Sequence, residues 1–580
     1  MAQKPSVVGV VGLGSVGAPL LEMLHAGGHE VVGVEREPDV LARVDRRMVR
    51  AAGPADGGGR RYTLTNETAA LCRADVVFEA VPEDLATKTE VLRRLNSIAL
   101  DHTVLVSTTV SLSLTRLAIA SGRPARTLGL RLLRPPASGR AVDQVRTAMS
   151  CDSAVTALDE LVAGLGLTPG GIGVRPGNDA MALVYAFLNR AVAMMEDGYA
   201  DRDSIDTALR LGCGLAAGPL QLLDEVGLDT FHSALVELRA RTGADVFRAT
   251  PLLTSAVRSG ALGRKSGQGF YTYDDLGRQY GTPGSPAGPG EGPRVRRVGV
   301  LGSGTMARGI AEASAAAGLR TVLVGRSRTA ADLAMEAVEA SLATSVRRGR
   351  TAPDQQTVAL ALLEGAASYR ALGDCDLVIE ATAEDLALKR SVFAALGGAC
   401  KPGAVLATTT SSLSVSACAQ ASGRAQDVLG LHFFNPAPVM KLVELVRTPT
   451  TGEDALATAR AFCGQLGKTF VECADRAGFI VNHLLFPYLV DAIGMLDRHD
   501  FDAELTDAAV ERGFGCPMGP FTLLDTIGLD VSLAVLRHLS EAFPGRGYAP
   551  PQLLEQLLLR GCLGRKSGQG FRVAARRAPL

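Results

Sequence analysis

The side chains in this sequence best suited to acid–base chemistry are His432 and Glu444. They stand in the run Leu431-His432-Phe433-Phe434-Asn435-Pro436-Ala437-Pro438-Val439-Met440-Lys441-Leu442-Val443-Glu444. The pattern reads as two strands joined by a proline-rich turn at Asn435 to Pro438, a hairpin that brings the imidazole to the carboxylate. Imidazole changes charge near neutral pH, and a carboxylate beside it orients the ring and stabilises its protonated form, as a general base requires. A histidine in an apolar strand is more often a satisfied core residue. Here the acid partner and a cofactor loop upstream favour the catalytic reading.

That loop is Gly302-Ser303-Gly304-Thr305-Met306-Ala307, set between an apolar strand and a helix. The first glycine allows a tight turn and the second lets the backbone approach a pyrophosphate. The third position needs only a small residue where helix meets strand, so Ala307 serves. A second such loop is Gly12-Leu13-Gly14-Ser15-Val16-Gly17. There the next strand, Val31 to Val34, ends at Glu35, an acid suited to the adenosine ribose hydroxyls. After Gly302 the corresponding strand, Thr321 to Val324, ends in Gly325-Arg326-Ser327-Arg328, without an acid. Arg326, Ser327 and Arg328 suit a 2′-phosphate. The cofactor is therefore NAD or NADP, the later loop leaning to NADP and the earlier one being of NAD type. The alternative is that these are solvated turn residues beside an NAD site that lacks an acidic contact.

Both loops belong to a tandem duplication. Gly263-Arg264-Lys265-Ser266-Gly267-Gln268-Gly269-Phe270 recurs 301 positions on, from Gly564 to Phe571. The runs from Gly218 to Asp224 and from Glu79 to Leu85 recur at the same offset, from Gly519 and from Glu380. The glycine loops are only 290 apart, so the copies differ by eleven residues between the loop and Glu79. Each copy opens with short apolar runs alternating with helical stretches and closes with helical periodicity alone. The fold class expected is α/β plus all-α, two tandem copies of a Rossmann-type dinucleotide-binding domain followed by a helical domain. The expected bounds are 1–172 and 173–273, a Gly/Pro/Ser-rich linker at 274–294, then 295–471 and 472–580.

Hydrophobic residues form 47% of the 580, enough for several cores. Lys+Arg and Asp+Glu both number 60, which lacks the basic excess of a general nucleic-acid binder. The ten cysteines show no C-x-x-C pair and no Cys/His cluster at zinc spacing, so no metal is expected. The apolar run from Val7 leads straight into a glycine loop, leaving no room for a signal peptide, and no apolar stretch is long enough to span a bilayer. A soluble cytoplasmic chain without a membrane partner is expected.

The run His432 to Pro436, with Ser411-Ser412-Leu413 upstream and Gly478-Phe479-Ile480-Val481-Asn482 downstream, resembles the L-3-hydroxyacyl-CoA dehydrogenase family. The resemblance covers nearly all of the second copy and, more loosely, the first. The two-copy arrangement is similar to tandem dehydrogenases of actinobacteria. It implies that His432 takes the proton of a substrate 3-hydroxyl as hydride leaves C3 for the nicotinamide, and that Glu444 pairs with His432. It implies that Ser411 and Asn482 hydrogen-bond the substrate, Ser411 also touching the nicotinamide. Glu384, Lys389, Asn435 and Lys566 match cofactor contacts. Ser341 and Arg348, on a helical arm after the second strand, match positions that hold the CoA moiety. Thr409 and His483 stand where the family usually has Asn and Arg.

At the 301 offset the first copy has Val110 for Ser411, Arg131 for His432, Asp143 for Glu444, Met181 for Asn482 and Arg134 for Asn435. A guanidinium stays protonated and cannot act as a base. The first copy is thus expected not to catalyse, although Glu83, Lys88 and Lys265 persist. Relatives resemble dimers that pair through helical domains, so an intrachain pseudo-dimer is expected. Two rival readings stand beside an acyl-CoA substrate: a biosynthetic enzyme acting on an acyl-carrier-protein thioester, and a nucleotide sensor or scaffold, which has no use for a base beside the nicotinamide.

Overall fold

Apolar runs that are buried on both faces form the strands of two parallel-type sheets, one in each copy. The computed structural model describes residues 7–52, 62–110, 112–132, 141–169, 180–274, 277–280, 293–497 and 502–572. The first sheet is built from β1 (Val7–Val11), β2 (Glu30–Val34), β3 (Tyr62–Thr65), β4 (Val76–Glu79), β5 (Val104–Ser107), β6 (Thr127–Leu132), β7 (Ala141–Val145) and β8 (Thr168–Pro169). The second repeats it with β9 (Arg297–Leu301), β10 (Arg320–Val324), β11 (Leu363–Ala366), β12 (Leu377–Glu380), β13 (Val405–Thr408), β14 (Val428–Phe433), β15 (Leu442–Arg447) and β16 (Thr469–Ala474). The strand orders are β3-β2-β1-β4-β5-β6-β7-β8 and β11-β10-β9-β12-β13-β14-β15-β16. In each, one pair is antiparallel: β6 with β7, and β14 with β15. The order reverses between β1 and β4, and between β9 and β12. Those switch points are where a doubly wound sheet opens a crevice for a ligand, and both glycine loops lie there.

The eleven extra residues of the second copy fall in a helical arm. Helix Arg328–Arg347 is followed by helix Pro353–Ala361, where the first copy has the shorter helix Pro38–Ala52. Residues 281–292 of the expected linker lie outside the described residues.

The repeated Gly-Arg-Lys-Ser-Gly-Gln-Gly-Phe run is a structural device. Its loop hangs on a buried carboxylate: Asp224 accepts from the amides of Phe270 and Tyr271, at 2.9 and 2.8 Å. Asp525 does the same for Phe571 and Arg572, both at 2.9 Å. Burial pushes the Asp224 carboxyl up to about 6.

The two helical domains share one apolar core. Helices Ala180–Glu196 and Val481–Asp497 cross in it, and they meet through equivalent residues. Phe187 packs on Tyr488, ring centroids 5.5 Å apart, and Arg190 pairs with Asp491 at 2.7 Å. Both partners are 301 positions apart in sequence, so these contacts sit at a local two-fold axis relating the copies. Away from the axis, helix Arg202–Gly212 of the first copy packs on β15 and β16, and helix Ala503–Phe514 of the second packs on β7. Among the described residues no helix is long and apolar enough to cross a membrane.

Truncating a buried Phe costs about 3–5 kcal/mol. Because the core is shared, Phe187→Ala in the first copy should lower a single calorimetric transition that carries both copies. Two separate transitions, with that of the second copy unmoved, would contradict the shared core.

Candidate active site

The dyad is set by strand register. In the β14–β15 hairpin His432 lies directly opposite Glu444, and their side chains share one face of the sheet. His432 Nδ1 is 2.6 Å from Glu444 Oε2. The other oxygen, Oε1, accepts from the amides of Ile480 and Val481, at 3.0 and 2.9 Å. Those amides open helix Val481–Asp497, so the carboxylate also sits at the positive end of a helix dipole. Glu444 is fully buried and His432 nearly so. A carboxylate only accepts, so Nδ1 carries the proton and Nε2 keeps the basic lone pair. The ring is flanked by Phe434 and Phe479, with centroids at 4.7 and 5.4 Å. Asn482 follows Val481 directly in the first turn of that helix.

Ser411 is placed by a second carboxylate. Glu384 Oε1 accepts from Thr410 Oγ1 at 2.6 Å and from the amides of Ser411 and Ser412, at 2.8 and 3.3 Å. Ser412 Oγ lies 3.1 Å from His538 Nδ1, which ties this loop to the helical domain.

Lys389, expected as a cofactor contact, is held between two carboxylates. It is buried, with Nζ 2.9 Å from both oxygens of buried Glu380 and 3.6 Å from Glu384. Thr408 donates to Glu380 as well, at 2.7 Å. The first copy keeps the same cluster: Lys88 and Ser107 bind Glu79 at 2.8 and 2.7 Å. In the first copy Lys88 and Glu83 border the crevice of the glycine loop.

The glycine loop fits a dinucleotide. Gly302 has φ +135°, and a Cβ there would lie 2.5 Å from the Ala381 carbonyl oxygen. At Gly304 a Cβ would meet nothing within 4 Å, which leaves the approach open at the start of helix Thr305–Ala316. Ala307 is buried at the helix–strand contact. Lys566 pairs with Asp530 at 2.9 Å and is half exposed. At the end of β10 the place of Glu35 falls to Gly325, whose Cβ would meet the Ala331 amide nitrogen at 2.6 Å. Arg326 is exposed. Arg328 turns along its own helix, 2.9 Å from Asp332 and 3.3 Å from the Gly365 carbonyl.

Ser341 and Arg348 open onto a cavity of about 1060 Å³ between the arm, helix Thr305–Ala316 and the turn after His432. Asn435, expected as a cofactor contact, lines this cavity too, together with Thr305 and Gly309 of the helix after the glycine loop. Lys468 braces the turn by donating to the carbonyls of Ala437 and Met440, at 2.6 and 2.7 Å. Burial, with Lys441 nearby, lowers its ammonium to about 8. Nothing in the sequence pattern singled out Lys468 or His538, because each meets the site from a distant segment.

The first copy preserves this frame without the chemistry. Arg131 takes the place of His432 opposite Asp143. Thr109 and the amide of Val110 bind Glu83, at 2.6 and 2.9 Å, so the loop survives without its serine hydroxyl. Met181 is buried. Arg134 lies outside the described residues. The nucleotide crevice itself is well formed, a cavity of about 560 Å³ bordered by Gly12, Gly14, Glu35, Val110 and Lys265. Gly17 packs against Gly12 at the foot of the loop. Glu35 is held ready, accepting from the Leu13 amide at 2.8 Å and the Arg36 amide at 2.7 Å.

A doubly wound sheet with a dinucleotide loop, a buried His–Glu dyad and a helical domain closing over it define a nicotinamide-dependent dehydrogenase. Comparison with known proteins agrees. The model of the 3-hydroxyacyl-CoA dehydrogenase NAD binding domain matches residues 7–172 and 297–476, and that of its C-terminal domain matches 180–273 and 478–573. A 3-hydroxybutyryl-CoA dehydrogenase of Mycobacterium tuberculosis is 43% identical over 279 residues, covering 48% of this chain and 98% of that protein. A 3-hydroxyadipyl-CoA dehydrogenase of Escherichia coli is 40% identical over 277 residues, 48% of this chain and 58% of that protein. The crystal structure of an Escherichia coli 3-hydroxybutyryl-CoA dehydrogenase superposes on 96% of this chain and 99% of its own, with TM-score 0.59 and 20% identity, a likeness of fold. The chain belongs to the 3-hydroxyacyl-CoA dehydrogenase family, with both family domains present twice.

His483, where the family usually has Arg, turns inward. Its ring nitrogens lie 2.9 and 3.0 Å from the Tyr548 hydroxyl, and Arg476 is in contact. Burial, and then Arg476, hold its imidazole down to about 3. Between pH 6.5 and 3 the unfolded chain therefore binds a proton that the folded chain refuses, and stability falls as pH drops through that window. At pH 5 this costs about 2 kcal/mol. His483→Gln should lose less Tm than the parent between pH 7 and pH 5. Equal losses would remove His483 from the account.

Proposed function

We propose that the second copy interconverts 3-hydroxyacyl and 3-oxoacyl thioesters of CoA. The observation that carries this reading is the 2.6 Å contact of His432 with Glu444, itself anchored by two helix amides. In the oxidative direction His432 Nε2 removes the 3-hydroxyl proton, and Glu444 stabilises the imidazolium that results. Gly302 to Ala307 would hold the pyrophosphate of the dinucleotide, whose nicotinamide would supply the hydride acceptor for C3. Ser411 and Asn482, on the loop and helix that flank the dyad, orient the substrate oxygens. Ser341 and Arg348 receive the adenosine-phosphate end of CoA in the larger cavity.

The first copy serves as the partner of the second within one chain, since its base is replaced by Arg131 while its share of the common core is intact. Its Glu35 crevice holds NAD without turning it over. The second copy accepts the phosphorylated cofactor as well as NAD, because Gly325 removes the carboxylate that would repel a 2′-phosphate and Arg326 stands exposed beside it.

His432→Ala should lower kcat by about 10²–10⁴-fold, the usual contribution of a general base, with cofactor affinity little changed. Near-normal turnover would sink the assignment. Arg326→Ala should raise KM for NADPH while leaving that for NADH in place, as read at 340 nm with acetoacetyl-CoA. Equal effects on the two would leave NAD as the only cofactor.

A further inference from the structure

The sheet face that carries the dyad is completed by a residue of the first copy. Side chains two positions apart on a strand share a face, so Leu442 lies on the face of Glu444, one step along β15, and Phe434 follows directly on the end of β14. Helix Arg202–Gly212 of the first copy ends against that step. A Cβ built on Gly212 would lie 3.0 Å from Leu442 Cδ2, 3.1 Å from Val481 Cγ2 and 3.5 Å from Phe434 Cε1. Each of these neighbours is tied to the dyad. Val481 donates its amide to Glu444 Oε1 at 2.9 Å. The Phe434 ring lies 4.7 Å from the His432 ring. Leu442 is two residues before Glu444 on β15.

Other residues of the first copy reach the same place. The Tyr199 hydroxyl donates to the Ala474 carbonyl at the end of β16, at 2.9 Å, and the Arg476 guanidinium lies 4.5 Å over its ring. Burial raises the Tyr199 hydroxyl well above its usual range, with Cys473 and Glu444 adding to the effect. Cys213, next in sequence to Gly212, is pushed up to about 12 by burial and by the charges of Cys516 and Glu444.

We propose that Gly212 is a positioning residue of the second copy's active site, its missing side chain setting how closely Val481 and Phe434 close on Glu444 and His432. This rests on His432 being the base. It gives the non-catalytic copy a part in the reaction that its own lost residues do not touch. A copy kept for this purpose must preserve the end of helix Arg202–Gly212 while its own base is free to drift.

The test is Gly212→Val in the full chain, assayed with acetoacetyl-CoA and NADH over a range of pH. A shift of about 1 Å in a reacting group costs up to about 10²-fold. The expected result is a fall in kcat of about tenfold or more, a displaced acid limb in the pH profile, and an unchanged KM for NADH. Adding Leu442→Ala vacates the space the valine needs and should restore most of the turnover. Wild-type kcat and pH profile in Gly212→Val, or a loss that Leu442→Ala leaves in place, would overturn the proposal. Should the valine variant fail to fold, Gly212→Ala carries the test, since its Cβ still presses on Leu442 and Val481. A smaller loss of kcat in the same direction supports the proposal, and an unchanged kcat overturns it. If His432→Ala keeps its turnover, the base assignment fails whatever Gly212 does. If His432→Ala is dead and Gly212→Val is not, only the role of Gly212 fails.

Discussion

Glu444 joins three parts of this molecule through one buried carboxylate. It sits on a strand of the second sheet, binds the imidazole across the hairpin, and accepts the first two free amides of a helix in the next domain. A buried carboxylate needs such partners, because an unpaired one costs several kcal/mol. Satisfying it therefore fixes the ring of His432 and the docking of the helical domain together. The same helix carries Asn482 in its first turn and crosses its counterpart from the first copy at Phe187 and Arg190. The geometry of the base thus depends on contacts that run well beyond the catalytic copy.

Duplication separates what the fold needs from what the chemistry needs. The first copy keeps the buried Glu79–Lys88–Ser107 cluster, the Glu83-bound loop, and the Asp224 carboxylate under its glycine-rich loop. It has Arg131, Val110 and Met181 where the second copy has His432, Ser411 and Asn482, and it lacks the longer arm with Ser341 and Arg348. Residues retained in both copies serve the fold and the crevice that the two copies share, where Lys88 and Lys265 line the first copy's cavity.

Much of this was legible in the sequence because it is local or periodic. An offset of 290 for the first two strands and of 301 from the third onward paired each strand with its counterpart, and the register follows it, with Arg131 opposite Asp143 as His432 is opposite Glu444. The proline-rich turn announced the hairpin, and the glycine loops lie at the switch points. What escaped the sequence is what depends on distant segments meeting. Asn435 faces the larger cavity because the arm lies across its turn. Gly212 reads as an ordinary helix end until it is found against Leu442 and Val481, more than two hundred residues away. His538 reaches Ser412 across the domain junction in the same way.

The central claim is that one copy of the two performs the reaction. Calorimetric titration of acetoacetyl-CoA into the full chain saturated with NAD tests it most directly, because the oxidised cofactor cannot reduce the ketone and the complex stays bound. One thioester bound per chain is the result this account requires. Two per chain, with similar affinity, would mean that the first copy retains a working substrate site, and would contradict it.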